Sequence, residues 1–92
     1  MWDNPYYNPE KLGLRILESV DEGGDWEFDL FVIWEDTDPK REFGMAYWGE
    51  DSGCSCPTPF ESVRREDLHY GRLHEAYDAL AEWQDARARR GY

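Results

Sequence analysis

The chain has 92 residues, and its 21 acidic and 10 basic side chains give a formal charge of −11 at pH 7. This length suits one domain and excludes a nucleotide-binding fold joined to a separate substrate domain. The acidic balance excludes an overall basic surface for nucleic acid, and no apolar run approaches the roughly 18 residues of a membrane span. Because aromatic residues make up 16% of the chain, we expect a folded domain with an aromatic core beneath an acidic surface.

The first half of the sequence predicts an extended segment followed by a small sheet. Residues 1–11 contain two Asn-Pro pairs, and proline disfavours helix at the residue before it, which predicts an extended lead-in. Residues 12–48 carry three strand patterns separated by turns, and the short connections predict an antiparallel β-meander of three strands. The clearest pattern runs from Trp26 to Glu35, with alternate aromatic and aliphatic residues on one face. They are Trp26, Phe28, Leu30, Val32 and Trp34.

The second half predicts a loop and a helix. Residues 49–61 are rich in glycine, cysteine and proline and are expected to form an ordered loop. Residues 66–90 have a helical period with one apolar stripe. The stripe consists of Leu73, Tyr77, Leu80, Trp83 and Ala86. The predicted fold is therefore a single α+β domain, residues 1–92, in which one C-terminal α-helix packs on the aromatic face of the three-stranded sheet. An exposed edge of this sheet is available to form a homodimer.

Two cysteines and two histidines form a candidate metal set: Cys54, Cys56, His69 and His74. Thiolate and imidazole are ligands that zinc prefers, but the cysteines are closer in sequence than in the usual zinc sites. A helix would also turn the two histidines apart unless Gly71 interrupts it. The alternative is that the cysteines pack as small apolar residues and the histidines lie at the surface. A catalytic thiol is disfavoured because no oxyanion motif accompanies the cysteines. We expect no cofactor, with zinc as the alternative.

Carboxylates gather at the predicted turns and form a candidate acidic face: Asp21, Glu22, Asp25, Glu35, Asp36 and Asp38. No spacing among them resembles an EF-hand loop, so calcium is not expected. One interpretation is that they are solvated loop tips. The other is that they imitate nucleic-acid phosphates and occupy the basic groove of a DNA-binding enzyme, with an attraction that salt weakens.

The segment from Tyr47 to Glu61 contains the sequence Gly-Cys-Ser-Cys-Pro-Thr-Pro-Phe-Glu. It resembles a family of small acidic proteins, encoded by phages of actinobacteria, that carry a GCSCPxPFE loop. Residues 8–14 and residues 28–32 are similar to the same family, so the resemblance covers about residues 8–68. It implies a phage accessory protein that acts in the host cytoplasm, and it implies no established activity.

We therefore expect a non-enzymatic protein that binds a protein partner from the host or the phage, without direct contact to nucleic acid or membrane. The expected contact is a binding loop in which Trp48 and Phe60 are apolar anchors and nearby carboxylates steer the partner. Its residues are Trp48, Asp51, Ser52, Cys54, Cys56 and Phe60. The alternatives are the nucleic-acid mimic and a small zinc-stabilised domain. The absence of a signal-peptide pattern and the expectation of reduced thiols predict a cytoplasmic location.

Overall fold

The computed structural model describes residues 4–54 and 58–90. Within these residues, four antiparallel strands form one sheet in the order β1-β2-β3-β4. The strands are Leu14–Asp21 (β1), Glu27–Asp36 (β2), Met45–Cys54 (β3) and His69–Arg72 (β4), and the helix α1 is Leu73–Arg90. Short 3-10 turns at Pro9–Leu12 and Arg65–Asp67 precede β1 and β4. The predicted α+β class, with one C-terminal helix on an antiparallel sheet, is confirmed. Within the described ranges, no helix is long and apolar enough to cross a membrane.

The sheet has four strands, so the predicted count of three was wrong. The additional strand, β4, lies within residues 66–90, which the sequence analysis assigned to a helix. It pairs with Met45–Trp48 of β3. Gly71 suits this position because a Cβ atom there would lie 3.0 Å from the ring of Trp48. Four residues are too few to produce a clear alternation of apolar and polar side chains, so the sequence pattern does not reveal β4.

β3 is longer than the sequence predicted. It continues to Cys54 and so takes in residues 49–54, the first part of the predicted 49–61 loop. The pairing comes from β2, where Glu27 lies opposite Cys54 and Phe28 lies opposite Gly53. A neighbouring strand can hold such a segment extended even where its own residues favour a turn. Residues 55–57, in the middle of the predicted loop, lie outside the described residues.

β2 carries apolar side chains on both faces of the sheet. Leu30, Val32 and Trp34 belong to one buried cluster, on the side that we call the lead-in face. Phe31 and Ile33 belong to a second buried cluster, on the side that we call the helix face. A strand buried on both faces is a central strand covered by two layers. The sheet is therefore the middle layer of the described part of the molecule.

The helix packs on the opposite face from the one predicted. α1 lies on the helix face, against Phe31 and Ile33, and not against the aromatic alternation that includes Trp34. Its buried residues are Ala76, Leu80 and Trp83. The lead-in face is already filled from another direction, because Phe60 and Leu68 are buried in the cluster around Trp34. The aromatic alternation thus identified a buried face but not the element that covers it.

Hydrogen bonds fix the lead-in across the sheet. The side-chain carbonyl of Asn4 accepts the N–H of Tyr6 at 2.7 Å, and its amide donates to the carbonyl of Pro59 at 2.9 Å. The buried indole N–H of Trp34 donates to the carbonyl of Pro5 at 2.8 Å. The bonds to Pro59 and from Trp34 join residues that are far apart in sequence, so the described part of the lead-in is an integral layer of the fold. It forms turns and a 3-10 helix, and the predicted extended conformation was wrong.

Candidate functional site

Phe60, one of the two predicted anchors of the binding loop, lies in the core. Its side chain is 1% exposed and meets Trp34 edge-on, with ring centroids 5.4 Å apart. Its φ of 59° is a left-handed conformation, which is unfavourable for a residue with a Cβ atom. Asp51 stabilises this turn, because its Oδ2 accepts the N–H of Phe60 at 2.7 Å. Phe60 is therefore not an exposed anchor, and Asp51 positions a core residue.

Trp48, the other predicted anchor, lies on the helix face. It lies opposite Ile33 in the pairing of β2 with β3, and its ring stacks on the imidazole of His69 with centroids 5.7 Å apart. The prediction that Trp48 and Phe60 form one contact surface is wrong, because the sheet separates them. Of the remaining binding-loop residues, Ser52 and Cys54 are exposed on β3, and Cys56 lies outside the described residues.

The predicted zinc ligands are spread along the molecule. His69 lies opposite Trp48, and Cys54 is six residues further along β3, a distance of about 20 Å at about 3.3 Å per residue. Cys54 and His69 therefore do not share an ion or form a thiol–imidazole pair. His74 lies in the first turn of α1, and Cys56 is not among the described residues. In the described part of the chain, no three His, Cys, Asp or Glu side chains are placed to hold a metal ion.

The predicted acidic face is divided between the two ends of the sheet. One group lies at the β1–β2 turn: Asp21, Glu22 and Asp25. The other lies at the end of β2 and in the connection to β3: Glu35, Asp36 and Asp38. Asp21 lies opposite Leu30, so Asp21 and Glu35, the nearest members of the two groups, are separated by five residues along β2, or about 17 Å. They are therefore two separate acidic patches and not one continuous face.

The acidic group at the end of β2 belongs largely to the fold. Glu35 forms an ion pair with Arg15, and Asp36 forms one with Arg65 at 2.5 Å. Asp36 also accepts the backbone N–H of Asp38 at 2.8 Å. That backbone bond, together with the hydrogen bond and charge of the Arg65 guanidinium, lowers the pKa of Asp36 below its ordinary value. These carboxylates are committed to turns and ion pairs.

The β1–β2 turn, by contrast, displays an aromatic side chain in an acidic setting. Trp26 is 81% exposed and precedes the first residue of β2, so its predicted place on the buried aromatic face was wrong. We call residues 21–27 the hairpin tip. It contains no basic residue and carries four exposed carboxylates: Asp21, Glu22, Asp25 and Glu27. Sequence reasoning missed Trp26 because its spacing continues the alternation of β2.

The hairpin tip is ordered by local hydrogen bonds. Asp21 accepts the N–H of Gly23 at 2.8 Å and that of Asp29 at 3.0 Å. Gly23 lies directly on the following strand, because a Cβ atom there would be 2.6 Å from the carbonyl oxygen of Glu27. The tight turn leaves the Trp26 side chain no covering layer among the described residues. These contacts order the base of the hairpin tip, and Trp26 is exposed at its end.

Two open grooves lie beside β3 on the helix face. The first has a volume of about 370 Å³, and the second about 400 Å³. The first is lined mainly by Trp48, Glu50, His69, Glu82 and Trp83. The second is lined mainly by Glu27, Asp29, Ser52 and Cys54. Glutamates thus line both grooves, and the first also has an aromatic wall.

Arg87 lines both grooves and joins α1 to β2. Its Nε and a terminal nitrogen donate to the two oxygens of Asp29 at 2.8 and 2.9 Å. Its guanidinium also lies 4.1 Å from the ring centroid of Trp83. The hydrogen bond to Asp29 raises the pKa of Arg87 above its ordinary value. This role is not apparent in the sequence, because a last-turn arginine is equally typical of helix termination.

One edge of β3 has no strand beside it in the part of the chain that the structure describes. β4 pairs only with Met45–Trp48, so the outer edge of β3 from Gly49 to Cys54 extends beyond it. Both grooves lie along this stretch. An unpaired strand edge presents backbone N–H and C=O groups to a second chain. The arrangement is therefore suited to binding another polypeptide.

One protein family, DUF7574, described as a domain of unknown function, matches residues 3–90. The chain belongs to this family. No curated protein and no solved structure matches this DUF7574 domain. The match covers nearly all of the lead-in and all of the sheet and α1, and it assigns no activity. The geometry of the site is thus the basis for a functional conclusion.

Proposed function

We propose that this DUF7574 domain is a non-enzymatic protein-binding module, which docks its hairpin tip on a partner protein with a basic surface. The observation that carries the proposal is the 81% exposure of Trp26 among the four carboxylates of the tip. Tryptophan is enriched among the residues that dominate interface energies, and charges around such an anchor steer the approach of the partner. The complementary site is an apolar pocket rimmed by lysine or arginine.

We further propose a phage accessory protein that acts in the host cytoplasm on a host or phage protein. The resemblance of residues 47–61 to small acidic actinobacteriophage proteins supports this context. A nucleic-acid mimic is less well supported, because Glu35 and Asp36 form ion pairs with arginines and the two acidic patches are separated. A zinc-stabilised domain is also less well supported, because Cys54 and His69 lie far apart.

The test compares two exposed aromatic residues at opposite ends of the sheet. The tagged domain, Trp26→Ala and Phe43→Ala are each used to capture proteins from an actinobacterial lysate. Phe43 is the matched control, because it is 75% exposed but lies at the β2–β3 connection, beside the Arg41 guanidinium. Removing a dominant anchor costs at least about 2 kcal/mol, or about 30-fold in Kd.

We expect Trp26→Ala to lose a partner that the wild type and Phe43→Ala both retain. Calorimetry with that purified partner then measures the change in Kd, and circular dichroism checks that both variants are folded. Retention of every captured protein by Trp26→Ala would refute the proposal. If DNA and the domain compete for binding to that partner, the result would instead favour the nucleic-acid mimic.

A further inference from the structure

We infer that the outer edge of β3, from Gly49 to Cys54, binds an extended segment of the partner that contains lysine or arginine, as an added strand of the sheet. This inference rests on the proposed function and specifies the partner segment and its mode of binding. Strand addition derives affinity from backbone hydrogen bonds and specificity from grooves that receive alternate side chains. β3 has both features along the same stretch.

The geometry of the sheet favours this edge over the two others. The outer strand β1 has a register irregularity between Ile16 and Glu18, and such bulges interrupt the pairing of a further strand. β4 has only four residues. The stretch of β3 beyond β4 has six residues, 49–54, and pairs without interruption with β2. Within it, Gly49 is buried and the N–H of Ser52 donates to Oδ1 of Asp51 at 3.0 Å, so the accessible backbone groups belong to the remaining residues. It is the longest regular edge in the described residues.

The charges beside the edge select a basic segment. The first groove contains Glu50 and Glu82, and the second contains Glu27 beside the ion pair of Asp29 with Arg87. Arg87 lies between the grooves, but its charge is compensated by Asp29 at hydrogen-bond distance. Side chains on one face of a strand recur about every 7 Å. A segment with lysine or arginine at alternate positions therefore places cations along these carboxylates.

The aromatic wall of the first groove suits the same side chains. The half-buried ring of Trp48 provides its apolar surface beside the two glutamates, because Trp83 is only 4% exposed and meets the Arg87 guanidinium. Long basic side chains lay their methylene groups on apolar surfaces while the charged end meets carboxylate or water. A second copy of this chain is a poorer occupant, because it would bring its own Glu50 and a formal charge of −11 to an acidic edge. The homodimer through a sheet edge is thus disfavoured by charge.

The test uses three capped ten-residue peptides. The first alternates lysine and valine and can extend as a strand. The second alternates lysine and proline, which keeps the charge and spacing of the lysines but removes half of the N–H donors and does not fit a strand ladder. The third alternates glutamate and valine. Calorimetry measures Kd, and hydrogen exchange of the full chain locates the amides that become protected.

We expect the Lys-Val peptide to bind and to protect amides between residues 49 and 54. The Lys-Pro peptide should bind about tenfold more weakly or worse, and the Glu-Val peptide should not bind. The double variant Glu50→Gln/Glu82→Gln should weaken the Lys-Val complex about tenfold. The control Glu10→Gln removes an exposed carboxylate from the lead-in and should leave Kd unchanged.

Equal affinity for the Lys-Val and Lys-Pro peptides would overturn strand addition, and so would protection confined to β1 or β4. If the domain forms a dimer without peptide and hydrogen exchange shows residues 49–54 protected in it, the edge binds a second copy of the chain and not a basic segment of a partner. Trp26→Ala should not change peptide binding. If Trp26→Ala loses the partner but the wild type binds none of the peptides, this inference alone is refuted. If the wild type binds the Lys-Val peptide as expected but Trp26→Ala retains every partner, only the hairpin-tip proposal is refuted.

Discussion

Arg65 connects three parts of the fold through one guanidinium group. It donates to the carbonyl of Leu12 at 2.7 Å, to the hydroxyl of Tyr47 at 2.9 Å and to Asp36 at 2.5 Å. Burial lowers the pKa of Arg65, but its bonds to Tyr47 and Asp36 outweigh this effect and raise the pKa above the ordinary value. A half-buried arginine that satisfies a carbonyl, a phenol and a carboxylate together joins the 3-10 turn before β1 to β2 and β3.

Asp36→Asn should destabilise the domain by an amount that depends on pH. Because the pKa of Asp36 is lower in the folded state, its ionised form stabilises the fold above the unfolded pKa of about 3.9, and this contribution is lost as the pH falls through the folded pKa. Urea unfolding at pH 7, 5, 4 and 3 should show the largest difference from wild type at pH 7 and a shrinking difference below about pH 4. A difference that stays constant or grows on acidification would contradict this role.

Trp26 and Phe60 show why residue-scale burial was not predictable from the sequence. Trp26 continues the alternation of Phe28 and Leu30, yet the turn places it outside the ladder with 81% exposure. Phe60 lies in a Pro-rich segment that resembles an exposed loop, yet Asp51, nine residues earlier, holds its N–H and turns its ring into the core. Alternation of apolar and polar residues indicates a strand but not the residue at which its pairing begins, which is why Trp26 was misplaced. A hydrogen bond across a loop produces no local sequence pattern, which is why the burial of Phe60 was missed.

At the scale of elements, the β1–β2 turn connects sheet geometry to the candidate site. It closes with a hydrogen bond from the N–H of Glu22 to the carbonyl of Asp29 at 2.8 Å. Its adjacent glycines have different surroundings. A Cβ on Gly23 would lie within 3.0 Å of backbone atoms of residues 27–29, whereas a Cβ on Gly24 would meet only a side-chain oxygen of Glu27 at 3.9 Å. Substituting each glycine in turn therefore separates the effect of close packing, which applies to Gly23, from the effect of backbone flexibility, which applies to both.

Gly23→Ala should destabilise the domain by about 1–3 kcal/mol, because the added methyl group must displace backbone. Gly24→Ala should change the unfolding free energy by no more than about 0.5 kcal/mol. Urea unfolding followed by circular dichroism measures both values. Only the first substitution should also weaken capture of the partner that depends on Trp26. Equal effects of the two substitutions would show that the close approach of Gly23 does not shape the tip.

The elements themselves were predictable to different degrees. The helical stripe that includes Leu80 and Trp83 identified α1 because an 18-residue helix repeats its apolar period several times. Leu73 and Tyr77 of the same predicted stripe are exposed, and the helix begins at Leu73 and not at residue 66. β2 was also evident from the alternation of Phe28, Leu30, Val32 and Trp34. The choice of covering layer was not predictable, since it depends on the remote contacts of Asn4 with Pro59 and of Phe60 with Trp34. β4 and the end of β3 depend on pairing with a neighbour and not on their own composition.

At the scale of the whole molecule, charge is distributed unevenly along the chain and is partly balanced in space. Residues 1–62 hold 15 acidic and 4 basic side chains, which gives −11, and the remainder holds 6 of each. Two arginines of the later part, Arg65 and Arg87, form ion pairs with Asp36 and Asp29 of β2. These ion pairs neutralise two of the acidic side chains in residues 1–62, whereas the hairpin tip has four carboxylates and no basic residue.

Salt should therefore change stability and partner binding in opposite directions. A charge of −11 repels itself in the compact state, so raising NaCl from about 0.01 to 0.3 M should stabilise the fold by screening. A gain of about 1 kcal/mol would raise the Tm of a domain of this size by about 4–8 °C. Partner affinity should fall over the same range, because electrostatic steering by the tip is screened. Thermal unfolding and calorimetry measure the two trends, and KCl at equal ionic strength should reproduce both. A complex whose Kd does not depend on salt would show that Trp26 binds without help from the carboxylates around it. A Tm that falls as salt is added would show that the ion pairs of Arg65 and Arg87 contribute more to stability than the repulsion among the acidic side chains costs.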